Sequence, residues 1–275
     1  MINKTQIENL QSISKRLRAL IVQMVYNAKS GHIGGSLSSA DVLTALYFHE
    51  MNVDAENPRL EDRDRFVLSK GHITPAYYGV LALRGFFPVE ELATFRKLNS
   101  RLKGHPDKNK TPGVDMSSGS LGQGISAATG MALAGKLSGK THRVVCLLGD
   151  GEMQEGQVWE ALAFASARKL DNLCVIVDNN GVQADGKVQD ICPIQPLKNR
   201  LKDFGFAVCE ANGHDFKSLI KAFARAKRNK GKPFAIIANT VKGKGVSFME
   251  NQSSWHGNVP NAEQFEKAIA EIERA

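Results

Sequence analysis

Val144-Val145-Cys146-Leu147-Leu148-Gly149-Asp150-Gly151 and, downstream, Leu173-Cys174-Val175-Ile176-Val177-Asp178-Asn179-Asn180 decide the fold. Each is an unbroken apolar run that ends in polar residues, the pattern of a strand buried on both faces of a parallel sheet. The stretch from Val158 to Lys169 between them reads as the crossover helix. Two neighbouring parallel strands then each end in an oxygen ligand, Asp150 and Asn180, at the carboxyl edge, where open α/β sheets bind ligands. One carboxylate and one amide oxygen are too few to enclose a cation. They suit Mg²⁺, which holds oxygen at about 2.0–2.1 Å and takes its remaining ligands from phosphates and water. Either motif alone reads as an ordinary turn or loop; the pair at this spacing carries the reading.

Working outward, Ile7, Leu10, Ile13, Leu17, Leu20, Ile21, Met24 and Val25 recur at helical spacing. Ser30-Gly31-His32-Ile33-Gly34-Gly35-Ser36 breaks that period, and a second helix is expected from Ser38 or Ser39 with Asp41 in its first turn. Arg65–Ser69 is a short strand candidate, a helix runs on to Arg84, and Pro88 opens another. Residues 100–120 carry no period and read as loop, before an Ala- and Gly-rich helix from Gly122 to Leu137. Beyond the second motif a long loop reaches Pro196. Helix 197–204, strand 206–210, a helix around Lys217, strand 234–239 and a final amphipathic helix 262–272 follow. Strands alternating with helices predict a doubly wound, mostly parallel α/β sheet flanked by helices, with residues 1–275 as a single domain.

With 275 residues, 42% of them hydrophobic, the chain can bury one full core. No stretch reads as a membrane span or a signal peptide, which places the expected compartment in the cytoplasm. The four cysteines have neither metal nor disulfide spacing and are expected to stay reduced. Much of the net charge of +8 falls between Lys198 and Lys232, and the cations from Lys217 to Lys227 fall on the polar side of a helix whose other side is Phe216, Leu219, Ile220 and Phe223. A solvated helix face accounts for it, and no aromatic platform accompanies it, so nucleic-acid binding is not expected.

Two phosphate-loop patterns fail on context. Gly122-Gln123-Gly124-Ile125-Ser126-Ala127 follows no strand, and Gly139-Lys140-Thr141 precedes a strand that it should follow. The histidines are more informative. His32, His72, His105 and His256 each adjoin a glycine in an expected loop. Four such imidazoles beside a metal–phosphate site point to a pocket that can donate to phosphate oxygens and relay protons between hydroxyls.

These residues resemble the diphosphate-binding N-terminal region of transketolase along essentially the whole chain. The resemblance is carried by Ser30-Gly31-His32, Ser69-Lys70-Gly71-His72, Gly104-His105-Pro106, Ser118-Gly119-Ser120-Leu121-Gly122-Gln123-Gly124, Gly149–Gly156, Asp178-Asn179-Asn180 and Ser254-Trp255-His256-Gly257. It implies thiamine diphosphate as cofactor, with Asp150, Asn180 and the Val182 carbonyl holding Mg²⁺, for which Ca²⁺ or Mn²⁺ could substitute. Gly151 would donate its N–H to the diphosphate; His72, Lys242 and His256 would lie near the diphosphate or the reaction centre. Gly119, Ser120 and Leu121 would contact the aminopyrimidine. His32, His105 and His256 would serve catalysis by hydrogen-bonding the donor sugar, and Glu155 would stand with the cofactor at an interface between subunits.

The family's glutamate for the aminopyrimidine and its grip on the substrate phosphate lie in a following domain, and Ala275 comes before either. The resemblance therefore implies half an enzyme: the N-terminal subunit of a split transketolase. With a C-terminal partner chain carrying the pyrimidine-binding domain, it would form a heterotetramer of two copies of each. Together they would move a two-carbon ketol unit from a ketose phosphate such as xylulose 5-phosphate to an aldose phosphate. The matching half of a deoxyxylulose-phosphate synthase-like, dihydroxyacetone-synthase-like or specialised sugar-pathway enzyme stays open as an alternative. One departure is local: Ile33-Gly34-Gly35-Ser36 replaces the family's more usual proline-containing turn after His32.

Overall fold

A computed structural model describes residues 2–274. Five parallel strands form one sheet in the order β1-β2-β3-β5-β4, with β1 Arg65–Leu68, β2 Val144–Gly149, β3 Leu173–Asn179, β4 Ala207–Asn212 and β5 Phe234–Asn239. The two quoted runs are adjacent, with Gly149 level with Asp178 and Asn179 level with Asn239. Their polar ends therefore line up along one edge, as the expected doubly wound sheet requires.

Alternation along the strands divides the core into two layers. Phe66, Leu68, Val145, Leu147, Ile176, Phe234, Ile236 and Ala238 face one layer. It is covered by α1 (Lys4–Ala28), α2 (Ile33–Ser38), α3 (Ala40–Ala45), α4 (Thr74–Arg84), α9 (Phe216–Arg228) and α10 (Ala262–Arg274). Val67, Val144, Cys146, Leu148, Val175, Val177, Ala235 and Ile237 face the other, under α5 (Gln123–Leu137), α6 (Gly156–Ala167) and α8 (Leu197–Asp203). Helix α9 follows the sequence reading: Phe216, Leu219 and Phe223 are buried, whereas Lys217, Lys221, Arg225 and Lys227 face solvent. Among the described residues no helix is long and apolar enough to cross a membrane.

Several boundaries differ from expectation. The glycine-rich stretch after His32 is not all loop: Ile33–Ser38 is α2, fully buried, and the expected helix follows separately as α3 from Ala40, with Ser39 before it and Asp41 in its first turn. Glycine has poor helix propensity, but here burial overrides it. A Cβ on Gly34 would lie 2.7 Å from the Trp255 carbonyl oxygen, so the close packing of α2 demands small residues. Strand β4 runs from Ala207 to Asn212, later than expected, because its polar end pairs in register with β5. A short helix α7 (Val188–Ile191) interrupts the long loop, and Pro88 precedes a 3₁₀ turn, Val89–Thr94, rather than an α-helix. The Gly122–Ala127 pattern indeed follows no strand; its first N–H donates instead to the Glu152 carboxylate at 2.9 Å.

Ile176 is fully buried at the centre of the sheet. Ile176→Ala should cost about 2–5 kcal/mol through lost burial and a residual cavity. Urea unfolding followed by circular dichroism would show it as a lower midpoint at unchanged slope.

Candidate functional site

The carboxyl ends of β1, β2, β3 and β5 open onto a cavity of about 330 Å³, lined among others by His32, Lys70, His72, Asp150, Asn180 and Lys242. Its floor is organised by Asp178, the last buried residue of β3 (0% exposed). Asp178 Oδ2 accepts from Lys70 Nζ at 2.5 Å, Ser38 Oγ at 2.6 Å and Ser39 Oγ at 2.9 Å, and Oδ1 accepts from the Thr240 hydroxyl. Burial raises the Asp178 pKa, but the Lys70 charge and these donors outweigh it and hold the carboxyl below its ordinary value. Gly71, next to Lys70, lets this loop pack against residues 118–119: a Cβ there would lie 2.7 Å from the Gly119 backbone nitrogen.

Asp150 has the opposite balance. Burial and the neighbouring Asp178 charge push it up to about 6, despite N–H donation from Gly181 and Gly151. Asp150 Oδ2 accepts from Gly181 N at 2.5 Å, so its carboxylate reaches the residue directly after Asn180. Asn180 Oδ1 accepts from Val182 N at 3.1 Å, and the Val182 carbonyl accepts from Lys242 Nζ at 3.1 Å. The three predicted ligand residues thus meet around one turn. A hard divalent cation would favour the ionised Asp150 that burial opposes, and carboxylate, amide and carbonyl oxygens suit such an ion. Among the described residues no group of three or more His, Cys, Asp or Glu could hold a metal by itself. A cation here would complete its shell from phosphate and water.

Three of the four predicted histidines converge. The ring centroids of His32, His72 and His256 lie 5.0–5.2 Å apart. Burial first, then neighbouring Arg96 and His105, lowers His32 to about 4; burial and Lys242 lower His256 to about 4. His72 is pushed well below its ordinary value by burial and Lys70. Lys242 itself falls to about 8 through burial and the Lys70 charge, and its Nζ lies 3.2 Å from His256 Nδ1. An ammonium can only donate, so Nδ1 accepts and the His256 proton sits on Nε2.

His105 does not line the cavity, but its ring packs on Gly119, where a Cβ would come within 3.1 Å. Gly119, Leu121, Gly151 and Glu155 line the cavity, and Ser120, between two of them, is exposed. The Gly151 N–H donates to Asp150 Oδ1 at 2.8 Å, an intrachain partner that spacing does not reveal. Spacing also gives no weight to Lys70, Asp178 or Glu152. The last is buried, accepting from Ser69 Oγ at 2.5 Å, Gly122 N at 2.9 Å and Gly149 N at 3.0 Å. All three lie inside motifs that the sequence displays; burial, which decides their role, is what it hides.

Residues 9–272 match the family described as the transketolase thiamine diphosphate binding domain. The chain belongs to the transketolase family. It is 44% identical over 273 residues to SqwG, a 6-deoxy-6-sulfo-D-fructose transketolase subunit of Clostridium sp. (strain MSTE9), covering 99% of both chains. It is 41% identical over 267 residues to an apulose-4-phosphate transketolase subunit of Phocaeicola vulgatus, covering 97% of this chain and 95% of that one. Human transketolase is 42% identical over 275 residues, but only 43% of its length is matched. Among solved structures, transketolase from Leishmania mexicana superposes with a TM-score of 0.90 at 33% identity, over 96% of this chain and 41% of that one. The chain therefore spans about two-fifths of the solved transketolase, and the expected diphosphate-binding fold is the one found.

The buried charges make the site's energetics measurable. Asp178→Ala should cost about 3–5 kcal/mol, because it strands a buried Lys70 ammonium; chemical denaturation at neutral pH measures it. With His32 and His256 near 4 when folded, against an ordinary 6.5, the unfolded chain binds more protons between those values. Their contribution to stability is complete above about pH 6.5 and is lost as pH falls through about 4. Unfolding curves at pH 7, 5.5 and 4.5 should show the decline, and His256→Phe should lessen it.

Proposed function

We propose that this chain is the diphosphate-binding subunit of a split transketolase, acting with a partner chain that carries the pyrimidine-binding domain. The observation that carries the reading is the convergence of Asp150, Asn180 and the Val182 carbonyl with Lys242, His32, His72 and His256 on one cavity at the sheet's carboxyl edge. Support for a separate partner comes from relatives of nearly the same length that are named as subunits.

Thiamine diphosphate supplies the carbanion-stabilising chemistry when bound, and the protein supplies binding, orientation and electrostatics. In this chain Asp150, Asn180 and the Val182 carbonyl would hold Mg²⁺, or Ca²⁺ or Mn²⁺ in its place. Lys242 and His72 would face the diphosphate, and Gly119, Ser120 and Leu121 the aminopyrimidine, with Glu155 at the contact between subunits. Neutral His256, protonated on Nε2, is a donor suited to the carbonyl or first hydroxyl of a donor sugar; His32 and His105 would share that task. The reaction is transfer of a two-carbon ketol unit from a ketose phosphate, for which xylulose 5-phosphate is the first substrate to try. The assembly would hold two copies of each chain and work in the cytoplasm. The relatives' names make 6-deoxy-6-sulfo-fructose and apulose 4-phosphate the next donors to assay.

The test is co-expression with the neighbouring reading frame, purification of the complex, and titration with thiamine diphosphate and Mg²⁺. Cofactor at 100 times its dissociation constant should stabilise the complex by about 2.7 kcal/mol. Asp150→Ala should abolish that stabilisation together with ketol transfer. Turnover by the isolated chain, or a cofactor shift that survives Asp150→Ala, would overturn the proposal.

A further inference from the structure

Gly213-His214 is a fifth glycine–histidine pair, and it holds the Lys242 segment from outside the cluster of three imidazoles. His214 Nε2 accepts the Val241 N–H at 2.8 Å, and Nδ1 lies 2.7 Å from Asp41 Oδ2. The first contact requires an unprotonated Nε2, so Nδ1 carries the hydrogen and donates to the carboxylate. Asp41 is 5% exposed and also takes Arg18 Nη2 at 2.5 Å and Arg18 Nη1 at 3.0 Å. Arg18 Nε in turn donates to the Lys244 carbonyl at 3.1 Å. One carboxylate therefore orients two clamps on residues 241–244: the imidazole at Val241 and the guanidinium at Lys244. The glycine is needed for the approach, since a Cβ on Gly213 would lie 2.3 Å from Thr240 Cγ2.

Lys242 lies between the two clamps. It is 2% exposed, and its Nζ reaches the Val182 and Gln183 carbonyls at 3.1 and 3.2 Å. We propose that His214, oriented by Asp41, is a positioning residue that fixes the Lys242 ammonium over the anion-binding side of the cavity. The separate open cavity of about 350 Å³ that His214, Asp41 and Arg18 line is not itself a ligand site. Its cations are engaged: Lys15 Nζ by the Glu273 carbonyl at 2.5 Å and Lys244 Nζ by Glu250 at 3.2 Å, with Arg18 held as above. The inference rests on the reading of Lys242 as a diphosphate contact, and its test separates the two.

Two variants of the complex divide the roles. His214→Gln keeps an acceptor that can reach the Val241 N–H, whereas His214→Asn keeps a group toward Asp41 and leaves that N–H unpaired. Both should lower the melting temperature. Only His214→Asn should speed amide hydrogen exchange across residues 240–245 and weaken thiamine diphosphate binding, roughly three- to tenfold for one lost hydrogen bond. Near-wild-type exchange and affinity in His214→Gln complete the expected result. If both variants melt earlier yet match the wild type in exchange and affinity, His214 is structural only and the proposal falls. If the wild-type complex fails to bind cofactor, the functional reading falls and the exchange measurement still decides the clamp. Should His214→Asn not fold, Asp41→Asn removes the charge that orients both the imidazole and Arg18 and should raise exchange across residues 240–245 at least as much; unchanged exchange would refute the clamp.

Discussion

A carboxylate placed at the carboxyl end of a central strand, away from water, must be met by donors or it neutralises. Asp178 is that carboxylate, and its donors come from four places in the chain. Ser38 and Ser39 arrive from the α2–α3 junction, Lys70 from the loop after β1, Thr240 from the loop after β5, and Asn180 Nδ2 from its own loop at 3.4 Å. These are the segments that carry the candidate functional residues: α2 follows His32, the β1 loop holds His72, Thr240 leads to Lys242, and Asn180 is itself a proposed ligand. One buried charge therefore fixes the relative position of groups spread along the chain from Ser38 to Thr240. Low local dielectric makes such a network specific as well as costly to break.

The same carboxylate sets the character of its neighbour. Lys70 is bonded to Asp178, so Asp150 is left buried beside like charge; hydrogen bonds from the Gly181 and Gly151 N–H groups and the charge of Lys70 do not offset this, and its pKa moves the other way. Two carboxylates at the ends of adjacent strands thus acquire different jobs from environment alone, as pairs pushed apart in pKa commonly do. The satisfied one is structural. The other, beside the turn that carries the Asn180 and Val182 oxygens, is the proposed cation ligand.

Much of this arrangement was legible in the sequence because parallel strands buried on both faces are uniformly apolar and end abruptly. Asp150 and Asn180 stand at those ends, and register between β2 and β3 was all that remained to bring them together. The glycine-linked histidines were legible for a related reason, since glycine marks close backbone approach. His105 shows the limit: it shares the pattern but packs outside the cavity lining. Residues whose roles depend on long-range pairing left no local signal. Lys70 looks like any loop lysine until Asp178 is found 108 positions away. The stretch Ile33–Ser38 misled by composition, because two glycines in a buried helix answer to close packing, against Trp255 and Lys242 at Gly34, rather than to propensity.

Three imidazoles with centroids about 5 Å apart, beside two ammonium groups, can share a cavity only if the rings are uncharged. Burial and the cations enforce this together, and neutrality then makes each ring a single donor with a single acceptor whose assignment its neighbours dictate. Lys242 assigns His256, leaving its Nε2 proton free; Val241 and Asp41 assign His214 in the opposite sense. His32 Nδ1 is buried without a hydrogen-bond partner among the described residues. The tautomer of His256 thus follows from the position of the Lys242 segment. On the proposal above, the clamps that hold that segment act on the site through Lys242.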